Sequence, residues 1–278
     1  MKRTLALILA LALCLGMTLG LTSGGSTSDW EKIEKDGYFV CGITVYAPMN
    51  YFNDDGDLVG FDTEFAEAVA EYLGVEVKFQ VIKWPSKYLE LNNGSIDAIW
   101  NGFTYGMEAV EGSDPISRTE YVDFTHAYLE NRQVIVTKTS RLDELSEKAD
   151  FAGLEGAAEG GSSGEGVAEE LVGVNGTVTT FDNQAAALTE VTSGTLDFAV
   201  IDYQMAASMV GTGSYADLSI NDAYSPESEV YAIGCRKGSD FTAKLNEAIE
   251  ALSENGTLAT IAAKYGLTND LIANIGKE

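Results

Sequence analysis

Basic residues, histidine and cysteine are all scarce in this chain. Against 43 Asp and Glu it carries only 17 Lys and Arg, a formal charge of -26 over 278 residues. That balance repels the phosphate backbone of nucleic acids and anionic membrane surfaces alike, so nucleic acid is excluded as a partner, while ligand choice is left open. His126 is the only histidine. Neither it nor the cysteines fall into a metal-ligand or nucleophile pattern, which leaves histidine-dependent catalysis and a bound metal without support. No glycine loop followed by Lys is present to cradle phosphates. The acidic turn from Asp54 to Asp57 offers too few ligand positions for a calcium hand, and no cofactor is implied.

Of the three cysteines, Cys14 falls in the first apolar run, which leaves Cys41 and Cys235 for the folded part. Both sit inside apolar, strand-like segments where a small buried thiol is common, and we read them as free thiols rather than a disulfide.

What is present begins with Lys2 and Arg3, an almost unbroken apolar run from Leu5 to Leu21, and the small polar stretch Ser23 to Ser26. This pattern predicts a signal peptide over residues 1–23 and an exported protein; a membrane anchor is the alternative, because the run approaches spanning length. Leu21-Thr22-Ser23 has the shape of the residues before the lipidated cysteine of a bacterial lipoprotein, but position 24 is Gly24. Cys14, with bulky Leu13 before it and apolar residues after it, is no substitute. The expectation is an extracellular or cell-envelope-associated protein whose anchor cysteine is replaced by glycine.

The rest, 45% hydrophobic and 22% charged over the whole chain, is enough for one large or two medium domains. Phe39 to Val45 reads as a buried strand, Asp54 to Asp57 as a turn, and Asp62 is placed to cap a helix. Phe61, Phe65, Ala68, Val69 and Tyr72 share one face of that helix, Gly74 ends it, and Val75 to Val81 follows as a strand. Strand, helix, strand is the order of a parallel sheet with crossover helices.

The segment from Leu91 to Trp100, LNNGSIDAIW, is echoed one hundred residues later from Val191 to Val200, VTSGTLDFAV. Each copy reads as a helix end, a glycine cap, an Asp turn and a buried strand, which predicts two similarly built α/β lobes. Polar or small residues follow each strand, Asn101 to Thr104 and Asp202 to Gln204. Ligands of open α/β sheets bind beyond the carboxyl ends of strands, so two such edges facing each other predict a shared cleft. The last helices, Phe241 to Ser253 and Leu258 to Tyr265, complete whichever lobe receives the end of the chain.

Three ordered motifs, Tyr46-Ala47-Pro48-Met49-Asn50-Tyr51, Gly56-Asp57-Leu58-Val59-Gly60-Phe61-Asp62 and Val122-Asp123-Phe124-Thr125-His126-Ala127-Tyr128, resemble those of the polar amino-acid-binding family of ABC-transporter substrate-binding proteins. The likeness runs from about Gly37 to Gly266. It implies an α/β, two-lobed, periplasmic-binding-protein-like fold of type II, each lobe a mostly parallel sheet flanked by helices, with a two-strand hinge. Residues 29–128 would form the first part of lobe 1, residues 129–228 lobe 2, and residues 229–278 the returning part of lobe 1. The function implied is binding rather than catalysis. A monomer captures a free amino acid between its lobes and delivers it to the permease of an ABC importer.

The same resemblance implies ligand contacts. Thr104, with Gly102 in the same turn, and Arg118 would hold the ligand's α-carboxylate, since a planar guanidinium offers two parallel charge-assisted bonds that Lys does not reproduce. Here the chain departs from the family, because Gly106 to Asp114 reads as an insertion between Thr104 and Arg118; a surface arginine is the alternative. Ser162 and Ser163 lie in a glycine-rich turn before the short helix Val167 to Val172, either as a carboxylate cradle of free N–H groups or with Ser163 as a simple cap. Asp202 would meet the ammonium group, or cap the helix that follows it. Tyr46 and Trp84 would sandwich the ligand's body, with core packing as the alternative for Trp84; Tyr51, Phe103 and Trp100 are weaker candidates for that wall. Family members for basic ligands often carry an acid near Ile43 or Thr44. None stands there, which disfavours a strongly cationic ligand and leaves Asp62, Glu64 and Glu90 as the acids to consider. Two other functions use the same fold. A dehydratase-like enzyme for small carboxylic acids would need an acid or base poised at the reacting carbon, and none is evident. An amino-acid sensor would report to a separate receptor.

Overall fold

The structure is a computed structural model that describes residues 28–108 and 116–277. The expected signal peptide, Cys14, Gly24 and residues 109–114 of the Gly106 to Asp114 insertion lie outside the described residues. Among the described residues no helix is long and apolar enough to cross a membrane.

Two five-stranded sheets are built on one plan. In the first, Tyr38–Ile43 lies between Glu76–Val81 and Ala98–Ile99 and is parallel to both. Gly234–Arg236 and then Val122–Phe124 continue that sheet antiparallel. In the second, Glu155–Glu159 lies between Thr177–Phe181 and Phe198–Asp202, again parallel to both, and Gln133–Lys138 and Leu218–Asn221 continue it antiparallel. The parallel half of each sheet is made by crossover helices, Phe61–Leu73 and Lys87–Asn92 in the first lobe and Ser163–Val172 and Gln184–Ser193 in the second. Consecutive strands can lie parallel only when such a connection carries the chain back. The antiparallel half is made by strands that bypass this helical route.

The echo is the junction where each parallel half closes. Gly94 and Gly194 stand at φ of 80° and 81°, the left-handed region where a β-carbon is penalised. Asp97 N–H donates to Val40 O at 2.8 Å while its carboxylate accepts from Val40 N–H at 3.0 Å. Asp197 makes the same pair of bonds with Glu155, both at 2.9 Å. An arginine then meets each carboxylate, Arg236 at 2.9 Å from Asp97 and Arg141 at 2.6 Å from Asp197. The repeated Asp therefore staples each third strand to the first and holds a cation beside it.

Between the sheets, Leu129–Asn131 pairs antiparallel with Glu229–Tyr231, and Thr104–Tyr105 adds to the far edge of the latter. These paired segments are the hinge. The run from Val230 to Cys235 thus serves two sheets in succession, with Ala232 and Ile233 between its strands. The helices Phe241–Glu254 and Thr257–Lys264 pack on Phe61–Leu73 and complete the first lobe. Its core is aromatic: Phe65 meets Trp100 edge-on at 5.1 Å, and Phe39 lies 5.2 Å from Phe241. Cys41 and Cys235 are free and buried, and burial pushes the Cys235 thiol up to about 12, where it is inert.

Two local features differ from what the sequence predicts. Gly60 occupies the N-cap of Phe61–Leu73 and no side chain caps it. Asp62 is already inside the first turn and fully buried, accepting from Gly102 N–H at 3.0 Å and from the Tyr128 hydroxyl at 3.1 Å. The insertion, in turn, leaves and re-enters the chain at one point: Met107–Glu108 pairs antiparallel with Ile116–Ser117, and Arg118 N–H donates to Gly106 O at 2.9 Å. The insertion therefore does not part Thr104 from Arg118, whose Nη1 donates to Thr104 O at 2.9 Å.

Burial raises the Asp62 pKa to about 7, against the opposing pull of Tyr128 and Gly102. The unfolded carboxyl ionises near 4. Asp62 therefore contributes stability that is complete below pH 4 and is lost as pH rises through 7. Asp62→Asn removes this titration. Its unfolding free energy relative to the parent should rise between pH 4 and 8 by on the order of 4 kcal/mol, measured by urea denaturation at each pH. A difference that stays flat over that range would contradict the burial argument.

Candidate ligand-binding site

The carboxyl ends of the parallel strands of both sheets meet at one cavity, with about 270 Å³ of free space including its mouth. Its wall is Tyr46, Trp84, Asn101, Gly102, Thr104, Arg118, Glu159, Ser162, Ser163, Gln184 and Asp202. All eight residues singled out from the sequence are among them, drawn from both lobes.

Arg118 opens a short 3₁₀ turn, Arg118–Glu120, whose cap is the Ser117 hydroxyl. It is 1% exposed, which removes the surface-arginine alternative. Its guanidinium donates from Nη1 to Thr104 O at 2.9 Å and from Nη2 to Gly161 O at 3.2 Å, and it lies 5.0 Å from the centre of the Phe103 ring. Lys87 Nζ donates to the same Gly161 carbonyl at 3.0 Å. Two cations of the first lobe thus converge on one carbonyl of the second, and Lys83 pairs with Asp182 at 2.7 Å nearby. The lobes are in contact, so this is a closed arrangement.

Ser162, not Ser163, caps the helix Ser163–Val172: its hydroxyl accepts from Glu165 N–H at 3.1 Å. The Glu165 carboxylate in turn accepts from Gly161 N–H at 2.6 Å. Ser163 Oγ is buried and meets no partner, and the amides of the first helical turn have no intrahelical acceptor. The turn therefore presents donors to the cavity, as a cradle would.

Asp202 sits at the N-cap position of Tyr203–Met209 but makes no capping bond. Its Oδ1 accepts from Asn131 Nδ2 at 2.8 Å and Gln133 Nε2 at 2.7 Å, and its Oδ2 accepts from Gln184 Nε2. The same Asn131 and Gln133 amides donate to Glu229 Oε1, at 2.6 and 2.7 Å, and Thr104 Oγ1 joins them at 3.0 Å. Two buried carboxylates therefore share amide donors at the hinge. Burial raises the pKa of both; amide donors hold Asp202 down in part, and the Asp202 charge pushes Glu229 further up.

Trp84 serves both of the roles weighed for it, packing edge-on against Phe103 at 5.4 Å while lining the cavity. Gly102 is explained by Tyr46: a β-carbon there would stand 2.0 Å from the Tyr46 hydroxyl, and φ is +57°. Its N–H is already given to Asp62, so it contributes room rather than a donor. Trp100 and Phe103 belong to the core beneath the site, and Tyr51 lies in the hairpin with Leu58–Val59.

Glu159 and Gln184 were not anticipated, and Asn101 was expected only as part of the cleft edge after the first echoed strand. Asn101 spends its amide on the neighbouring loop, donating to Thr44 O at 2.9 Å and Asn50 Oδ1 at 2.7 Å. Glu159 ends the strand Glu155–Glu159, and Gln184 opens the helix after Thr177–Phe181. The signal was available. Ligand-facing residues follow the carboxyl end of every parallel strand, and Glu159 and Gln184 stand at the carboxyl ends of the two parallel strands of the second lobe that carry no echo.

The family model of the bacterial extracellular solute-binding proteins, family 3, matches residues 39–268. A probable histidine-binding protein of Neisseria gonorrhoeae is 27% identical over 229 residues, covering 82% of each chain. Among solved structures, an ABC uptake transporter substrate-binding protein from Streptococcus pneumoniae with bound histidine superposes with a TM-score of 0.73 at 29% identity, over 86% of this chain and 96% of that one. An ancestral amino-acid-binding protein that is a precursor of cyclohexadienyl dehydratase gives a TM-score of 0.73 at 26% identity, over 84% and 98% of the two chains.

Proposed function

The chain belongs to the bacterial extracellular solute-binding proteins, family 3, and on that premise we propose that it captures a free α-amino acid between its lobes and presents it to the permease of an ABC importer. The observation that carries this reading is the wall itself, which brings together a buried arginine, a donor-rich helix start, a buried carboxylate and two aromatic rings. The α-carboxylate is assigned to Arg118, to the Ser162–Ser163 turn, where Ser163 Oγ has no other partner, and to Thr104, whose hydroxyl would turn its proton from Glu229 to the ligand. The ammonium group is assigned to Asp202, and the body of the ligand to Tyr46 and Trp84. With Arg118 in the wall and Lys87 bonded to the same Gly161 carbonyl, a strongly cationic ligand is disfavoured. The protein acts as an exported monomer, residues 129–228 swing as one lobe about the hinge, and ligand contacts available only on closure stabilise the closed form.

A thermal-shift screen against the twenty amino acids and several small carboxylates tests this, because a ligand that binds only the folded state raises its melting temperature. A shift with at least one α-amino acid is expected. Shifts confined to carboxylates without an amino group would overturn the ammonium assignment and favour the dehydratase-like reading, which the ancestral relative keeps in view.

A further inference from the structure

Two acids line the cavity, and they differ in how their oxygens are used. Asp202 accepts three amide N–H groups, two at Oδ1 and one at Oδ2. Glu159 is 3% exposed, yet its Oε1 meets no donor. A buried carboxyl oxygen without a partner costs about 1–3 kcal/mol, and more when charged, so its persistence in a ligand cavity calls for a donor. No protein hydrogen bond reaches Oε1: Gln184, close enough to act on the Glu159 carboxyl, has its Nε2 turned to Asp202, and Lys87 and Arg118 both donate to Gly161 O.

Resting on the amino-acid reading above, we propose that Glu159 is the specificity residue for the ligand's side chain. It accepts a hydrogen bond from a side-chain N–H, so that the preferred solutes are amino acids ending in an amide or imidazole and those with acidic side chains are rejected. The geometry supports the division of labour. Once Arg118, Thr104 and the Ser162–Ser163 turn hold the carboxylate and Asp202 the ammonium group, the wall that remains for a side chain is Tyr46, Trp84, Asn101, Gly102, Gln184 and Glu159, of which Glu159 is the one acid. A carboxylate placed there would meet a second carboxyl group. A full cation would add charge beside Lys87 and Arg118, whose positive charge already acts on Glu159 against the effects of burial and of Asp202. A neutral or weakly basic N–H donor satisfies Oε1 without either conflict.

Glutamine and glutamate differ at the relevant atoms and almost nowhere else, so calorimetric titration with both, and with histidine and leucine, is the test. The parent is expected to bind glutamine or histidine at least roughly tenfold more tightly than glutamate, because a site built around one hydrogen-bond partner rejects the analogue lacking it. Glu159→Gln keeps the shape of the side chain and should narrow the glutamine-to-glutamate ratio by roughly tenfold, chiefly by admitting glutamate. Its ligand-free melting temperature, within a few degrees of the parent's, verifies folding, and Glu159→Leu, which removes both oxygens, should lose the ratio as well. Unchanged ratios in both folded variants, or a parent that binds leucine or glutamate best, overturn the Glu159 assignment while leaving amino-acid capture standing. A parent that binds no amino acid overturns both.

Discussion

Arg118→Ala is expected to lower the affinity for whichever amino acid the screen identifies by roughly a hundredfold or more, about 3 kcal/mol. The guanidinium is 1% exposed and held from two sides, so it is preorganised and loses little entropy on meeting a carboxylate. Truncation removes a charge-assisted pair and leaves the ligand's carboxylate buried with hydroxyl and amide donors alone. It also removes the bond to Gly161 O, one of the contacts that join the lobes, so closure weakens together with recognition. Arg118→Lys keeps the charge but loses the fork, and should fall between parent and Ala. Calorimetric titration measures all three. An affinity for Arg118→Ala within threefold of the parent would remove Arg118 from the site.

Asp202→Ala should act on stability as well as on binding. The carboxylate takes one hydrogen from each of three buried amides, and although Asn131 and Gln133 keep their second bond to Glu229, Gln184 Nε2 loses the acceptor to which it is turned. Leaving those N–H groups unsatisfied costs on the order of 3 kcal/mol, offset in part because Glu229 no longer faces a second negative charge. Urea denaturation should register that loss. The melting shift produced by an α-amino acid should vanish in the same variant, while any shift from a carboxylate without an amino group survives. An intact amino-acid shift would place the ammonium group elsewhere.

What the sequence determined by itself is what depends on near neighbours along the chain. The strand Tyr38–Ile43, the helix Phe61–Leu73 with its Gly74 stop, and the two copies of the Gly, Asp, strand junction were legible because periodicity and helix ends are set by residues a few positions apart. The positions of Asp202 and Thr104 beyond their strands followed from where open sheets present ligands. Arg118, Tyr46 and Trp84 were reachable through the ordered motifs of the family.

Tertiary structure alone decided the rest. Thr104 and Arg118, 14 positions apart, stay together because Met107–Glu108 and Ile116–Ser117 pair, a register that no local pattern announces. Asp62 turns inward because Gly102 N–H and Tyr128 approach it from remote segments, and that outweighs its preference for a cap. Ser162 rather than Ser163 becomes the cap, which leaves the Ser163 hydroxyl for the cavity. Glu159 and Asp202 are both carboxyl groups at strand ends. What separates them is that amides from Asn131, Gln133 and Gln184 converge on one and not on the other, and hydrogen-bond partnership over about 3 Å is fixed by how distant segments pack rather than by their spacing in the chain.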